Sequence, residues 1–136
     1  MERVEIQSVR GPYRLIFSNR KPPTRARGAE YVTVELVGPD LAATRTQVYL
    51  YDPEPLVRLF DELAQNWRGW EGDKHWHSVE SDLDLKCTSD RLGHITIAVT
   101  LRSGPYVEDW SVSAPVFLDA GSLDIIAQEM KAFLAG

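Results

Sequence analysis

Three histidines are the residues with the most direct claim to chemistry. His75 and His77 lie two apart at the entry to an expected strand, so their side chains share a face. That spacing can supply two imidazole ligands to a metal ion, with His94, Glu71, Asp73 or Glu80 as a third. No cysteine pair reinforces the pattern. Next to them, Glu80, Asp82 and Asp84 alternate along one expected strand and read as an outward acidic row ending at Lys86. Paired carboxylates run acid and base chemistry only where two environments push their pKa values apart. A solvated sheet face offers one shared environment, so the row reads as a charged face that discourages aggregation, or as a contact surface for a basic partner. Asp90 and His94 flank a turn and can hydrogen-bond across it. Cys87 falls on an inward strand face, where a thiol is an inert small hydrophobe. There is no glycine-rich dinucleotide or phosphate loop and no Gly-x-Ser-x-Gly elbow. No catalytic residue and no cofactor are therefore assigned.

The stretch from Asn66 to Glu80 holds three of the four tryptophans and two of the three histidines. Trp67 continues an apolar helix stripe and Trp110 a strand pattern, and both are expected in the core. Trp70 and Trp76 either close over the sheet as a lid or, if exposed together with Arg68 and His75, have the composition of a binding hot spot. The candidate partner-binding set is Arg68, Trp70, His75, Trp76, Glu80, Asp82 and Asp84.

The elements that must position these residues follow from periodicity. Alternation predicts strands over Tyr13–Phe17, Tyr31–Val37 and Leu41–Tyr51, with Thr46, Val48 and Leu50 facing away from Arg45, Gln47 and Tyr49. Asp52-Pro53-Glu54 is a helix start, and Leu56, Leu59, Phe60, Leu63 and Trp67 form its stripe. Further strands are expected over Val79–Cys87, with Val79 and Ser81 inward, over His94–Arg102, and from Trp110 to Leu118, where Pro115 implies an edge or bulge. Leu123, Ile126, Ala127, Met130 and Leu134 mark a second helix. Both halves read strand, strand, strand, helix, and a shift of about 67 residues lays Asp52 on Asp119 and Leu56 on Leu123. The expected fold is α+β: a mostly antiparallel sheet of about six strands with two helices on one face, residues 1–136 forming one domain and residues 18–30 a basic, proline-containing loop.

Composition narrows the function classes. A chain of 136 residues that is 43% hydrophobic can bury a core without metal or disulfide, and its single cysteine permits no internal disulfide. Residues 1–30 carry seven cations against three carboxylates, +4, leaving −9 on the rest of a chain whose net charge is −5. An acidic body is the wrong sign for neutralising phosphates, so nucleic acid is not an expected partner. No apolar run approaches the ~20 residues of a membrane span. Met1–Ser8 lacks the apolar centre of a secretory leader, so the cytoplasm is the expected compartment.

Trp67-Arg-Gly-Trp70, Gly72, Trp76, Ser78-Val-Glu80, Leu83 and Leu85, then Asp90, Gly93-His94, Leu101-Arg102 and Asp109-Trp110, resemble a family of small uncharacterised bacterial proteins. The order of elements also resembles the WapI-type immunity proteins, small acidic α+β proteins that neutralise a co-encoded toxin domain. The resemblance implies a non-enzymatic protein-binding role and supplies no catalytic residue. The expected function is an immunity-like domain that binds a basic protein through the aromatic loop and acidic face, with homodimerisation open. The alternative is a metal-dependent enzyme or metal-binding protein using His75, His77 and His94.

Overall fold

The computed structural model describes residues 1–21 and 30–135. It contains two four-stranded antiparallel sheets, each followed by a helix. The first has the order β1 (Arg3–Gln7), β2 (Arg14–Lys21), β3 (Tyr31–Gly38), β4 (Leu41–Tyr49), and leads into α1 (Glu54–Gln65). The second has the order β5 (Asp73–His77), β6 (Leu83–Ser89), β7 (His94–Arg102), β8 (Ser111–Asp119), and leads through a short turn of 3-10 helix into α2 (Leu123–Ala135). The α+β class holds, but the single six-stranded sheet does not, and the repeated unit is four strands and a helix rather than three. The two additional strands are β1 and β5, each five residues long. In β1 only Val4 and Ile6 point inward, set opposite Phe17 and Leu15; in β5 only Lys74 and Trp76 are withdrawn from solvent. Strands with one or two inward apolar residues carry little periodic signal. The anticipated loop over residues 18–30 is also shorter at its start, because β2 runs on to Lys21; residues 22–29 lie outside the described residues.

The long strands alternate as the chemistry of a half-buried sheet requires. In β7, Ile95, Ile97, Val99 and Leu101 are buried while Thr96, Ala98 and Thr100 lie on the opposite face. Strand β4 breaks that rule, and the break matters. Val32 pairs with Val48 but Val34 pairs with Arg45, so two steps along β3 match three along β4. This bulge shifts the phase of β4: Arg45 joins Ala43 on the inner face instead of pointing away from it with Gln47.

Helix α1 begins where Asp52 Oδ1 accepts the Glu54 N–H at 3.0 Å, and Pro53 loses nothing by lacking a donor there. Leu56, Leu59, Phe60 and Leu63 bury its inner face, together with Val57. The helix stops at Gln65 because Asn66 leaves helical geometry at φ −103° and ψ 34°; its N–H still makes the last helical bond to Glu62 O (3.0 Å), and its side-chain Nδ2 caps the same carbonyl at 2.8 Å. Trp67 therefore leaves the stripe and is 50% exposed rather than part of the core. Leu123, Ala127, Met130 and Leu134 bury the inner face of α2, which packs against α1 and reaches β1.

Both halves share one apolar cluster, and among the hydrogen bonds that join them two sets, each at a seam, tie the sheets together through the backbone. At the first, Val9 N donates to Phe117 O (2.8 Å) and Phe117 N donates to Ser8 Oγ (2.9 Å), fastening the end of β1 to β8. At the second, Val79 N donates to Tyr49 O (3.2 Å), bringing the β5–β6 turn onto β4.

Candidate functional site

The second sheet has two working ends. Its strands are antiparallel, so the chain entering β5, the β6–β7 turn and the exit of β8 share one end, while the β5–β6 turn and the β7–β8 loop share the other. The seven residues of β6 separate these ends by roughly 20 Å. Residues 66–80, contiguous in sequence, are thereby distributed from one end to the other along β5.

At the β5–β6 end, Ser81 adopts φ +58° and the chain turns through Ser78–Asp82 before β6 opens at Leu83. The turn is why the outward acidic row fails. Asp82 is fully buried instead of facing solvent: Arg45 Nε donates to its Oδ2 at 3.0 Å, and Ser78 Oγ donates to its Oδ1 at 2.5 Å. The bulge in β4 is what aims Arg45 at this carboxylate. Arg45 Nη2 lies 4.0 Å from Glu80, whose side chain stays about half exposed, and Arg102 N donates to Asp82 O at 2.8 Å. Val79 is likewise 56% exposed rather than inward. The turn is a charged joint between the halves with a solvent-facing rim of Val79 and Glu80.

Two strand spacings away, roughly 10 Å, stands the β7–β8 loop, Ser103–Trp110. It is tied from within. Ser103 Oγ donates to Asp109 Oδ1 (3.0 Å), Tyr106 N to Asp109 Oδ2 (2.8 Å), and Trp110 N to Ser103 Oγ (3.0 Å). Ser103 N donates to Trp110 O at 3.0 Å, closing its base. A Cβ at position 104 would stand 2.6 Å from Asp109 Oδ2, so any side chain there would displace the carboxylate that ties the loop. The rigid frame holds apolar groups in water: Val107 is 98% exposed, Tyr106 and Trp110 are exposed, and Glu108 beside them is exposed too. Trp110 is thus not a core residue; it precedes β8 and lies outside the strand's alternation. Tyr106, Val107 and Glu108 went unassigned in the sequence, although an aromatic and a β-branched residue between Gly104-Pro105 and Asp109 are an available signal.

At the opposite end Trp70 is half-buried and packed against the core, its Nε1 donating to Cys87 O at 3.2 Å, and Trp76, further along β5 opposite Leu85, is half-buried and packed against the core as well. They are a lid over the sheet rather than projecting anchors. Lys74 Nζ lies 5.7 Å from the Trp70 ring, and the Arg68 guanidinium lies 5.0 Å from the Trp67 ring. Asp90 accepts from Leu92 N (2.7 Å), His94 N (3.0 Å) and the His94 ring (2.8 Å). These bonds, the backbone N–H of His94 foremost, hold its carboxyl below the usual range.

The remaining candidates occupy the outer face between the two ends. His75 Nε2 and Asp84 Oδ1 are 2.5 Å apart, so the row's last carboxylate is engaged with an imidazole. The rings of His75 and His77 are 5.8 Å apart, and His77 Nδ1 donates to Ser78 O at 2.9 Å. His94 opens β7 beside Asp90, at the other end from His77, so the three histidines are not brought together. Among the described residues no group of three or more His, Cys, Asp or Glu side chains is disposed to hold a metal ion. Cys87 is buried as expected, and desolvation pushes its thiol up to about 12. Among the described residues no helix is long and apolar enough to cross a membrane.

A family model described as a family of unknown function, DUF6228, matches residues 6–136. The chain belongs to this family. No curated protein and no solved structure matches it. For this DUF6228 member the site rests on geometry: a polar, joint-like turn beside a stiff aromatic loop at one end of the second sheet, and an arginine-lined aromatic end at the other.

Proposed function

We propose that this protein is a non-enzymatic protein-binding domain whose contact surface is the β5–β6 turn together with the β7–β8 loop. The observation that carries the reading is the loop: an internally tied frame that holds Val107 almost wholly in water beside exposed Tyr106 and Trp110. Side chains on a pre-ordered loop lose little freedom on docking, and Tyr106 and Trp110 are residue types enriched in interface hot spots. Exposed Glu80 and Glu108 at this end favour a basic partner, as does the acidic body of the chain. The immunity-like reading, in a cytoplasmic setting, fits that polarity: a small acidic protein covering a basic, harmful one. Asp82 plays no direct part in contact, since it is buried in the joint.

The test is retention of a basic protein from the native lysate by wild type, Val107→Asp and Trp110→Ala, with circular dichroism confirming that both variants are folded. Wild type retains a specific basic partner at low salt, and both variants lose it. If the same proteins are retained by all three, the loop is not the contact surface.

A further inference from the structure

The two ends of the second sheet carry complementary chemistry. At the far end from the β7–β8 loop, a groove of about 630 Å³ is lined by Trp67, Arg68, Arg91, Leu92 and Gly121, with Asp119 as the carboxylate on its wall. Trp67 is half exposed and Leu92 is 79% exposed, so the groove presents apolar surface that no part of the described chain covers. Among the described residues neither Arg68 nor Arg91 has a carboxylate partner; Arg68 lies over the Trp67 ring, and the nearby Asp90 carboxylate is occupied by the N–H groups of Leu92 and His94. The groove therefore suits an apolar side chain followed by a carboxylate. At the other end the rigid β7–β8 loop projects that sequence: Tyr106, Val107 and Glu108, all exposed.

We propose that the groove receives the Tyr106–Glu108 tip of a second copy of the chain. Val107 enters beside Trp67 and Leu92, and Glu108 lies between the guanidiniums of Arg68 and Arg91. The inference rests on reading the loop as a contact surface and gives that surface a second occupant, so that self-association and partner binding compete for it. Donor and acceptor lie at opposite ends of one sheet, so the contact is heterologous and does not close into a two-fold dimer. A three-residue tip buries far less than the ~800 Å² per partner of a stable interface. The assembly is consequently weak and, with exposed charges at its centre, sensitive to salt.

Sedimentation velocity tests this directly, at concentrations up to a few hundred micromolar, on the order expected for so small a contact. The wild-type mass rises from the 15.4 kDa monomer through dimer and trimer, and falls back to monomer at about 0.5 M salt. Arg68→Glu with Arg91→Glu, which removes the acceptor, stays monomeric; so does Val107→Asp, which removes the donor. An equimolar mixture of these two variants forms one-to-one dimers and nothing larger, because each contributes its intact end. Adding Glu108→Lys to the double arginine variant restores the series. A wild type that stays monomeric overturns the inference, as do a dimer that persists in both variants and a mixture that stays monomeric. The arginine variant still retains the lysate partner. Capture of that partner without self-association refutes only the self-association; self-association without capture refutes only the partner reading.

Discussion

Replacing Asp82 by alanine removes the one buried carboxylate that ties the two halves together through Arg45. Breaking a buried ion pair by deleting one member costs about 3–5 kcal/mol, because the other charge is left without compensation. Here the discount is substantial. The Arg45 side chain is 28% exposed and Glu80 stands 4.0 Å from its Nη2, so the guanidinium regains water and a weaker partner. Ser78 Oγ also loses its acceptor: as a donor it keeps the longer contact to Leu83 O, while it still accepts from Leu83 N at 3.0 Å. The expected loss is about 2–3 kcal/mol, or roughly 6–9 °C in Tm for a chain of this size. Urea titration followed by circular dichroism gives the free energy, and the double variant Arg45→Met with Asp82→Leu gives the coupling. Removing both charges together is expected to fall within about 1 kcal/mol of wild type, well short of the sum of the single losses. A loss below about 1 kcal/mol for Asp82→Ala, or additive single effects, would refute the view that this pair is the joint.

Other outcomes follow from the same geometry. Cys87 is expected to resist thiol reagents until the protein unfolds. Its pKa is raised from 9.0 to about 12, so stability is intact below pH 9 and declines above it by up to about 1.4 kcal/mol per pH unit until pH 12, a slope that Cys87→Ala removes in alkaline denaturation. Asp90 has the opposite sign. Its lowered pKa adds stability that is present above the ordinary carboxyl value and fades as pH falls through the lowered one, so Asp90→Asn flattens the acid limb of a pH–stability profile. Gly104→Ala forces a Cβ against Asp109 Oδ2 and is expected to cost about 1–3 kcal/mol by urea titration while loosening the loop and weakening partner retention.

Strands β3 and β7 and most of both helix stripes are legible because their apolar periodicity runs for several residues, and each places those residues in the core, apart from exposed Trp67 and partly buried Ile126. The Asp90–His94 contact was also legible, since it is local. What escaped detection depended on distance or on a change of phase. Arg45 and Asp82 are 37 residues apart, and neither an arginine drawn inward by a bulge nor an aspartate turned inward by a positive φ at Ser81 follows from alternation. Trp67 and Trp110 depart from the core pattern for one reason: each lies just outside an element, Trp67 after the end of α1 and Trp110 before the start of β8, where periodicity still extrapolates but the regular backbone does not. The candidate set Arg68, Trp70, His75, Trp76, Glu80, Asp82 and Asp84 was contiguous in sequence, yet β5 spreads it along the sheet and folds Asp82 away from solvent.

The seam between Ser8 and Phe117 spans 109 residues, and the contact from Arg20 Nη1 to Leu134 O spans 114. Closing such loops is entropically unfavourable until the far partner is in place, and contacts of this separation slow folding. During synthesis β1 can pair with β2 early, but it cannot be fastened to β8 until nearly the whole chain has left the ribosome. The segment Ser8–Val9 that follows β1 thus has no partner for these hydrogen bonds until Phe117 has been made, and the two halves are fastened there only late.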